Sequence, residues 1–130
     1  MPESGSRKNN ALWGLWKGNS AGGLYSTVDD LFRFALALRM HKLLSAHSTQ
    51  MLLTGKVQIP DGSNAKYAYG FFEEVRNGTR VSYVGHPGGA PGISTQLDIY
   101  LKHDYTVVVL SNYDGPAAEC VANKLREMLA

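Results

Sequence analysis

The chain has 130 residues, of which 44% are hydrophobic and 18% are charged, and this composition is typical of one globular domain. Thirteen basic and eleven acidic residues give a net charge of +2 and are scattered along the chain, without the basic patch typical of nucleic-acid binding. The single cysteine excludes an internal disulfide, and no Cys/His cluster has zinc-site spacing, so we expect neither a metal nor another cofactor.

The first 19 residues predict no regular element. The opening MPESGSRKNN is polar and no apolar signal-peptide region follows it, and no apolar run approaches the ~20 residues of a membrane span. We therefore divide the chain into a poorly defined N-terminal segment at 1–19 and a single lobe at 20–130. A cytoplasmic location without a membrane partner is expected.

Two helices are predicted after this segment. In STVDD, Ser26 or Thr27 can serve as the N-cap, with an acidic side chain near the third helical position. A helix ending near Met40 follows, and a second, shorter helix is expected from Ser45 to Gly55. The apolar residues that recur every three to four positions in the first helix are Val28, Leu31, Phe32, Ala35 and Leu38.

Beyond residue 66 the apolar pattern changes from a helical period to a period of two. The runs YAYGFFEEV and VSYVGH flank Asn77-Gly78, the dipeptide that most readily adopts the positive φ angles of a tight turn. Residues 67–86 are therefore predicted to form a β-hairpin. Four aromatic side chains are expected to pack within this hairpin and not to form a ligand pocket: Tyr67, Tyr69, Phe71 and Phe72.

Two further strands and a helix complete the predicted elements. Residues 93–101, ISTQLDIYL, alternate strictly between apolar and polar side chains, which predicts a strand with one buried face. The run YTVVVLSN at 105–112 is mostly apolar and β-branched, as in a central strand covered on both faces. Pro116 then suits the first turn of a helix. The apolar stripe of that helix is Ala117, Val121, Leu125 and Met128.

The predicted order is helix, helix, four antiparallel strands and helix, an α+β fold with helices packed on one sheet. Five segments of the chain, in this order, resemble the C-terminal half of serine β-lactamase-related hydrolases, a group that includes class C β-lactamases and their esterase and D-aminopeptidase relatives. The segments are SAGGLYSTVDDLFRFALAL, LLS, YAYGFF, GHPGGAPGIS and IYLKHDYTVVVLSNYDG. The resemblance covers about 20–130 and implies the C-terminal part of the β-lactamase/transpeptidase-like fold.

The resemblance gives the glycine-rich segment at 84–94 a possible role. In the family, a strand carrying Lys-Thr-Gly, or His-x-Gly in esterase-like members, lines the active site, and His86-Pro87-Gly88 stands at that position. The N–H of Gly89 would correspond to one oxyanion-hole donor, and a glycine lets the backbone approach the reacting carbonyl. The structural alternative is that His86 only hydrogen-bonds a sharp turn. The other histidines are expected at the surface: His41, His47 and His103.

The remaining catalytic apparatus of that family has no clear counterpart in this chain. The family's nucleophile lies in Ser-x-x-Lys at the start of a helix, and a Tyr-x-Asn or Ser-x-Asn motif completes the site, both in the N-terminal half. The only Ser-x-x-Lys match here is SNAK, from Ser63 to Lys66, in a predicted loop. We interpret SNAK as a solvated loop and the site at His86, Gly88 and Gly89 as vestigial or incomplete.

Three functional hypotheses follow from this pattern. The chain is a truncated β-lactamase-like hydrolase lobe that is inactive alone, a binding or assembly module, or a small hydrolase that uses Ser63 and Lys66. In the family, strands from the N-terminal part continue the sheet beside the strand corresponding to Tyr105–Ser111. An open edge there would pair with another chain unless the tryptophan-containing stretch 11–16 covers it, so we predict a homodimer or a complex with a partner chain.

Overall fold

The computed structural model describes residues 9–10, 18–61, 63–75 and 82–129, which form three helices and one antiparallel sheet. The strands lie side by side in chain order, and each is antiparallel to the next. None of the described helices is long and apolar enough to cross a membrane. The helices are α1 (Val28–Arg39), α2 (Ala46–Leu53) and α3 (Ala117–Met128); the strands are β1 (Val57–Gln58), β2 (Ala65–Tyr67), β3 (Phe72–Val75), β4 (Ser82–Ala90), β5 (Ile93–Tyr100) and β6 (Tyr105–Ser111).

The α+β class is confirmed, but the sheet has six strands and not the four that were predicted. The expected first strand at 67–75 is divided by a turn at 68–71, where Gly70 has a φ of +82°. Aromatic residues on both sides of this glycine conceal the turn in the sequence pattern. The predicted Asn77-Gly78 turn lies outside the described residues, although β3 and β4 pair antiparallel on either side of it.

The first two helices begin where the capping pattern predicted. The Thr27 hydroxyl accepts a hydrogen bond from the Asp30 N–H at 3.1 Å, and the Ser45 hydroxyl accepts one from the Ser48 N–H at 3.1 Å. Both helices bury apolar side chains against one face of the sheet and so form the main core. The buried members of that core are Ala35, Leu38, Leu53, Ala68, Phe71, Val84 and Ile99.

Strand β5 is covered on both faces, whereas the alternating pattern predicted only one. Ile99 faces the main core, and four side chains of the opposite set are at most 4% exposed: Ser94, Gln96, Asp98 and Tyr100. Three of these polar side chains are buried with hydrogen-bond partners, as burial of polar groups requires. The Ser94 hydroxyl accepts from the Ala118 N–H at 3.0 Å and so caps the start of α3 from a neighbouring strand.

Helix α3 packs on this polar face through a different stripe from the predicted one. Its buried residues are Ala118, Ala122 and Arg126, whereas Val121 and Met128 are 49% and 74% exposed. The two alanines let the helix approach the sheet closely enough for Arg126 to reach Asp98. The buried face is therefore selected by an ion pair and small side chains, which a search for apolar periodicity does not detect.

Strand β6 lies at the end of the sheet and not in its centre. It pairs with β5 along its whole length, and no strand of the described chain pairs with its other edge. Helices α1 and α3 contact β6 from opposite faces and leave Thr106 to Val109 half-buried. Its β-branched residues are therefore explained by helices packed on both faces of the strand. The residue pattern does not show whether another strand pairs with its outer edge.

Candidate functional site

The candidate site is the part of β4 that extends beyond β3. The last pair between these strands joins Phe72 and Gly85, whereas β4 continues to Ala90 and remains paired with β5. We call this segment, His86–Ala90, the open β4 edge. Within the described residues, its side away from β5 has no strand partner, so its backbone groups are accessible to a ligand.

The position of Pro87 fixes the direction of the amide groups along the open β4 edge. Proline has no N–H and is tolerated in a ladder where that position points away from the paired strand. The register between β4 and β5 is continuous, so N–H groups alternate in direction along the strand. Gly89 has the same parity as Pro87, and its N–H therefore points away from β5, toward the open side.

The turn that ends this edge is held in place by two side chains. Gly92, with a φ of +70°, donates its N–H to Asp114 at 2.7 Å, and Asn10 donates its side-chain amide to the Pro91 carbonyl at 2.8 Å. Asp114 follows β6, and Asn10 belongs to the N-terminal segment for which no structure was predicted. These contacts hold the turn that follows the open β4 edge.

His86 is exposed and lies against two aromatic rings of the preceding strands. Its ring centroid is 5.0 Å from that of Phe72 and 5.9 Å from that of Tyr67, and the Tyr67 and Phe72 rings meet edge to face at 4.8 Å. The imidazole is therefore supported on one side by apolar surface, while its position beyond the end of β3 leaves it accessible. The hairpin aromatics were predicted to pack among themselves, and Tyr67 and Phe72 also form the support for His86.

Hydrogen bonds define the proton arrangement of the neutral His86 ring. Its Nδ1 lies at hydrogen-bonding distance from the Pro87 carbonyl, which can only accept, so Nδ1 carries the proton. The Nε2 atom is then an acceptor, and the Tyr67 hydroxyl donates to it across 3.3 Å. In the imidazolium form, both nitrogens donate, and the ring can bind an anionic group.

Two glycines of β4 differ in what surrounds them. A Cβ atom at Gly85 would lie 1.9 Å from the Leu97 carbonyl oxygen, so the close approach of β4 and β5 requires glycine there. At Gly89 the nearest heavy atom would be 3.9 Å away, so the fold tolerates a side chain. Gly88 is intermediate, since its Cβ would meet the Thr95 side chain alone, with the hydroxyl oxygen at 2.3 Å. The open space at Gly89 adjoins its outward N–H.

The second pair of candidate residues is separated by the fold. Ser63 lies between β1 and β2, where its N–H donates to Asp61 at 2.9 Å and its hydroxyl accepts from the Ala65 N–H at 3.2 Å. Ser63 and Ala65 line a cavity of about 360 Å³ next to α3. The side chain of Lys66 alternates to the other side of β2, against Gly55. Ser63 and Lys66 do not form the helical Ser-x-x-Lys arrangement.

Several described side chains could suggest other sites. The exposed His41, His47 and His103 agree with their predicted surface positions. Among the described residues, no three His, Cys, Asp or Glu side chains are grouped to hold a metal ion. A cavity of about 630 Å³ forms a groove between α1 and α2 with mainly apolar walls. It contains neither His86 nor Ser63.

Two features were not predicted from the sequence: the contact of Tyr67 with His86 and the buried Asp98–Arg126 pair. Tyr67 is 19 positions from His86, and only the registers of β2 with β3 and of β3 with β4 bring them together. Asp98 occupies a polar position of an alternating strand, and such a position is expected to face the solvent. The available sign of the ion pair in the sequence is that Arg126 shares a face of α3 with the small residues Ala118 and Ala122.

Known proteins are similar to this chain in sequence and in structure. A model of the Beta-lactamase family matches residues 2–130. Penicillin-binding protein 4* of Bacillus subtilis (strain 168) is 32% identical over 91 residues, which are 70% of this chain and 20% of that protein. The crystal structure of a penicillin binding protein from Bacillus halodurans is similar with a TM-score of 0.76 and 32% identity, over 85% of this chain and 33% of that one. The chain thus spans one fifth and one third of these two relatives.

Proposed function

The chain belongs to the Beta-lactamase family, and on this premise we propose that it supplies the histidine-bearing edge of a serine hydrolase site and performs no acyl transfer alone. The observation that carries the proposal is the open β4 edge, where the Gly89 N–H points outward next to the supported ring of His86. The proposal treats residues 20–130 as one lobe, and the nucleophile belongs to another part of the family domain.

In this proposal the open β4 edge acts on a substrate carbonyl. A tetrahedral intermediate carries a negative oxygen, and an amide N–H that is already oriented toward it lowers the barrier without reorganisation. The Gly89 N–H is the donor that this chain would contribute. His86 would hold a substrate carboxylate or the intermediate through Nε2, which is exposed and donates in the imidazolium form, while Nδ1 stays bonded to the Pro87 carbonyl. The substrate would then replace the Tyr67 hydroxyl at Nε2, and the Tyr67 and Phe72 rings would still support the imidazole.

The missing element in this scheme is the nucleophile. A serine needs a neighbouring base within hydrogen-bonding reach, and Ser63 instead has its hydroxyl occupied by the Ala65 N–H while Lys66 lies across β2. Because the two matched relatives are three to five times longer than the aligned regions, their remaining length can hold the nucleophile. The substrates are then acyl compounds such as β-lactams, esters or peptides.

A second candidate function is assembly with a separate chain that carries the nucleophile. The outer edge of β6, which has no strand partner among the described residues, favours this alternative. It differs from the first candidate in requiring a stable complex between two polypeptides. Size-exclusion chromatography with a separately produced N-terminal part of such a protein would reveal that complex.

The first test uses the chain alone. We would incubate it with a chromogenic β-lactam and a short-chain ester, follow turnover, and measure the intact mass. The proposal predicts no turnover and no covalent adduct. An acyl adduct on Ser63, with turnover lost in Ser63→Ala, would overturn it and establish a small hydrolase that uses Ser63 and Lys66. Asn64→Ala, in the same loop, is the matched control because it leaves both side chains in place.

A further inference from the structure

A cavity of about 360 Å³ lies on the face of the sheet that α3 covers. Strand β4 contributes Gly85 and Pro87 to its walls, on the opposite face from the core residue Val84. Neither His86, Gly89 nor any residue of β6 is among the described residues that line it. The cavity is therefore not part of the candidate hydrolase site, and a strand paired with the outer edge of β6 would not form its walls.

Gln96 supplies a buried acceptor in the wall of this cavity. The residue is 4% exposed, and its Nε2 atom donates to Asp98 at 2.7 Å. No described residue donates a hydrogen bond to its Oε1 atom. Buried carbonyl oxygens in native proteins almost always accept a hydrogen bond, and leaving one without a donor costs free energy. A molecule in the cavity that carries an N–H or O–H group would supply the missing donor.

Two exposed carboxylates line the same cavity. Asp61 belongs to the connection between β1 and β2, and Glu119 belongs to the first turn of α3. The hydroxyl and the N–H of Ser63 lower the pKa of Asp61, so its side chain is ionised at neutral pH. Neither carboxylate forms an ion pair with a described residue. Both charges are therefore accessible to a cation in the cavity.

Arg126 also lines the cavity, but its positive charge is already paired. Its Nε and Nη2 atoms donate to the Asp98 carboxylate, and its guanidinium carbon lies 4.3 Å from the centroid of the Tyr83 ring. Glu74 is a third lining carboxylate and accepts from the Tyr83 hydroxyl. The described lining residues thus carry three carboxylates and one guanidinium, and this excess of negative charge favours a cation over an anion.

The arrangement suits an organic cation better than a metal ion. Among the residues that the structure describes, no three His, Cys, Asp or Glu side chains are grouped to hold a metal. A primary ammonium carries three N–H donors, and the chain attached to it can pack on apolar surface. Ile59, Phe72 and Pro87 provide such surface in the walls. The volume is near the lower end of the range for ligand sites, so the cavity fits a short-chain amine.

We propose that this cavity binds a short aliphatic amine. Its primary ammonium donates to Gln96 Oε1 and is attracted by the carboxylates of Asp61 and Glu119, while its alkyl chain packs on the apolar walls. The same ammonium group occurs in free diamines and in lysine side chains, so the experiment compares these two sources.

The first experiment is an NMR titration of the isotopically labelled chain with cadaverine, a five-carbon diamine. The amide shifts of Gly85, Gln96 and Glu119 should change and saturate, with a Kd of about 1 mM or lower. Pentanediol has the same chain length without charge, and glutarate has the opposite charge, so neither should bind. An acetyl-lysine amide with a free side chain that binds as cadaverine does supports a lysine source. Binding of cadaverine alone supports a free diamine.

Two variants test the named contacts. Glu119→Gln removes one charge and should raise the Kd about threefold, whereas Gln96→Leu removes the acceptor and should raise it about tenfold or more. Glu127→Gln is the matched control, since Glu127 lies on the same helix but is not among the described lining residues. This control should bind cadaverine as wild type does. Circular dichroism verifies folding, and if Gln96→Leu does not fold, Glu119→Gln and the shift changes decide the test.

Three results would overturn the proposal. The first is the absence of saturable shift changes at Gly85, Gln96 and Glu119 with either amine. The second is binding of pentanediol or glutarate as tight as that of cadaverine. The third is a Kd that Glu119→Gln leaves unchanged or that Glu127→Gln raises equally. These readouts involve no substrate and are independent of the proposed hydrolase site.

Discussion

At the scale of single residues, the buried Asp98–Arg126 pair is the feature that fixes how α3 meets the sheet. Two guanidinium nitrogens donate to the carboxylate at 2.7 and 2.8 Å, and Gln96 donates to it at 2.7 Å. Burial acts to lower the pKa of Arg126, but hydrogen bonding to Asp98 and the charge of that carboxylate outweigh it and raise the pKa. The guanidinium therefore remains charged in the folded protein.

Removing one partner of this pair should be strongly destabilising. In Asp98→Ala, Arg126 would remain as a buried charge without its counter-ion, and such losses cost about 3–5 kcal/mol of unfolding free energy. Urea denaturation measures the effect. Glu127→Gln breaks the exposed Lys124–Glu127 pair on the same helix and should leave the urea midpoint almost unchanged. Equal losses in the two variants would contradict a structural role for the buried pair.

The two glycines of β4 provide a second test at this scale. Gly85→Ala should lower the unfolding free energy by about 3 kcal/mol, because its Cβ would collide with the Leu97 carbonyl. Gly89→Ala has open space and should change stability little. Thermal melts of the two variants measure the difference. If Gly89→Ala were as destabilising as Gly85→Ala, the open β4 edge would be covered in solution, contrary to this account.

At the scale of elements, local signals were predicted well and long-range signals were not. Caps at Thr27 and Ser45 depend on a few neighbouring residues, so the sequence reveals where α1 and α2 begin. The predicted strand at 67–75 is divided because Gly70 adopts a positive φ. The position of β6 at the end of the sheet depends on which strands pair with it. Neither property leaves a periodic pattern, so apolar spacing alone did not reveal them.

Tyr83 links β4 to β3 and α3 and provides a pH-dependent test of their packing. Its hydroxyl donates to Glu74, and its ring lies 4.3 Å from the Arg126 guanidinium. Burial, followed by the hydrogen bond to Glu74, raises the pKa of Tyr83 well above its ordinary value. Above about pH 10 the unfolded chain therefore loses a proton that the folded chain keeps, and stability decreases as the pH rises.

The expected size of this effect is about 1.4 kcal/mol of unfolding free energy per pH unit above pH 10. Tyr83→Phe should remove that contribution, so its unfolding free energy should fall less steeply than that of wild type between pH 10 and 11. Tyr25→Phe, at an exposed ring, should keep the wild-type slope. Urea denaturation at pH 9, 10 and 11 checks both. Parallel slopes for wild type and Tyr83→Phe would contradict the packing described for Tyr83.

At the scale of the whole molecule, the described residues combine a buried core with a sheet in which β6 and the end of β4 each have an edge without a strand partner among those residues. The resemblance found in the sequence is confirmed by the family match over 2–130 and by similarity to a solved penicillin binding protein. The segment GHPGGAPGIS was singled out through the family resemblance, but the predicted hairpin ended at residue 86, whereas β4 continues to Ala90. The support by Tyr67 and Phe72 could not be predicted, because it depends on the register of three strands.

The central claim is that the open β4 edge serves a nucleophile located elsewhere in the family domain. The most direct measurement is the β-lactam acylation rate, by intact mass, of a chimera in which the matching 85% of this chain replaces the matched third of the Bacillus halodurans protein. The chain alone should form no adduct. The chimera should acylate on its remaining part, and His86→Ala should slow acylation by about tenfold or more, as expected for a lost stabilising contact. Acylation of the chain alone, or an unchanged rate in the His86→Ala chimera, would contradict the account.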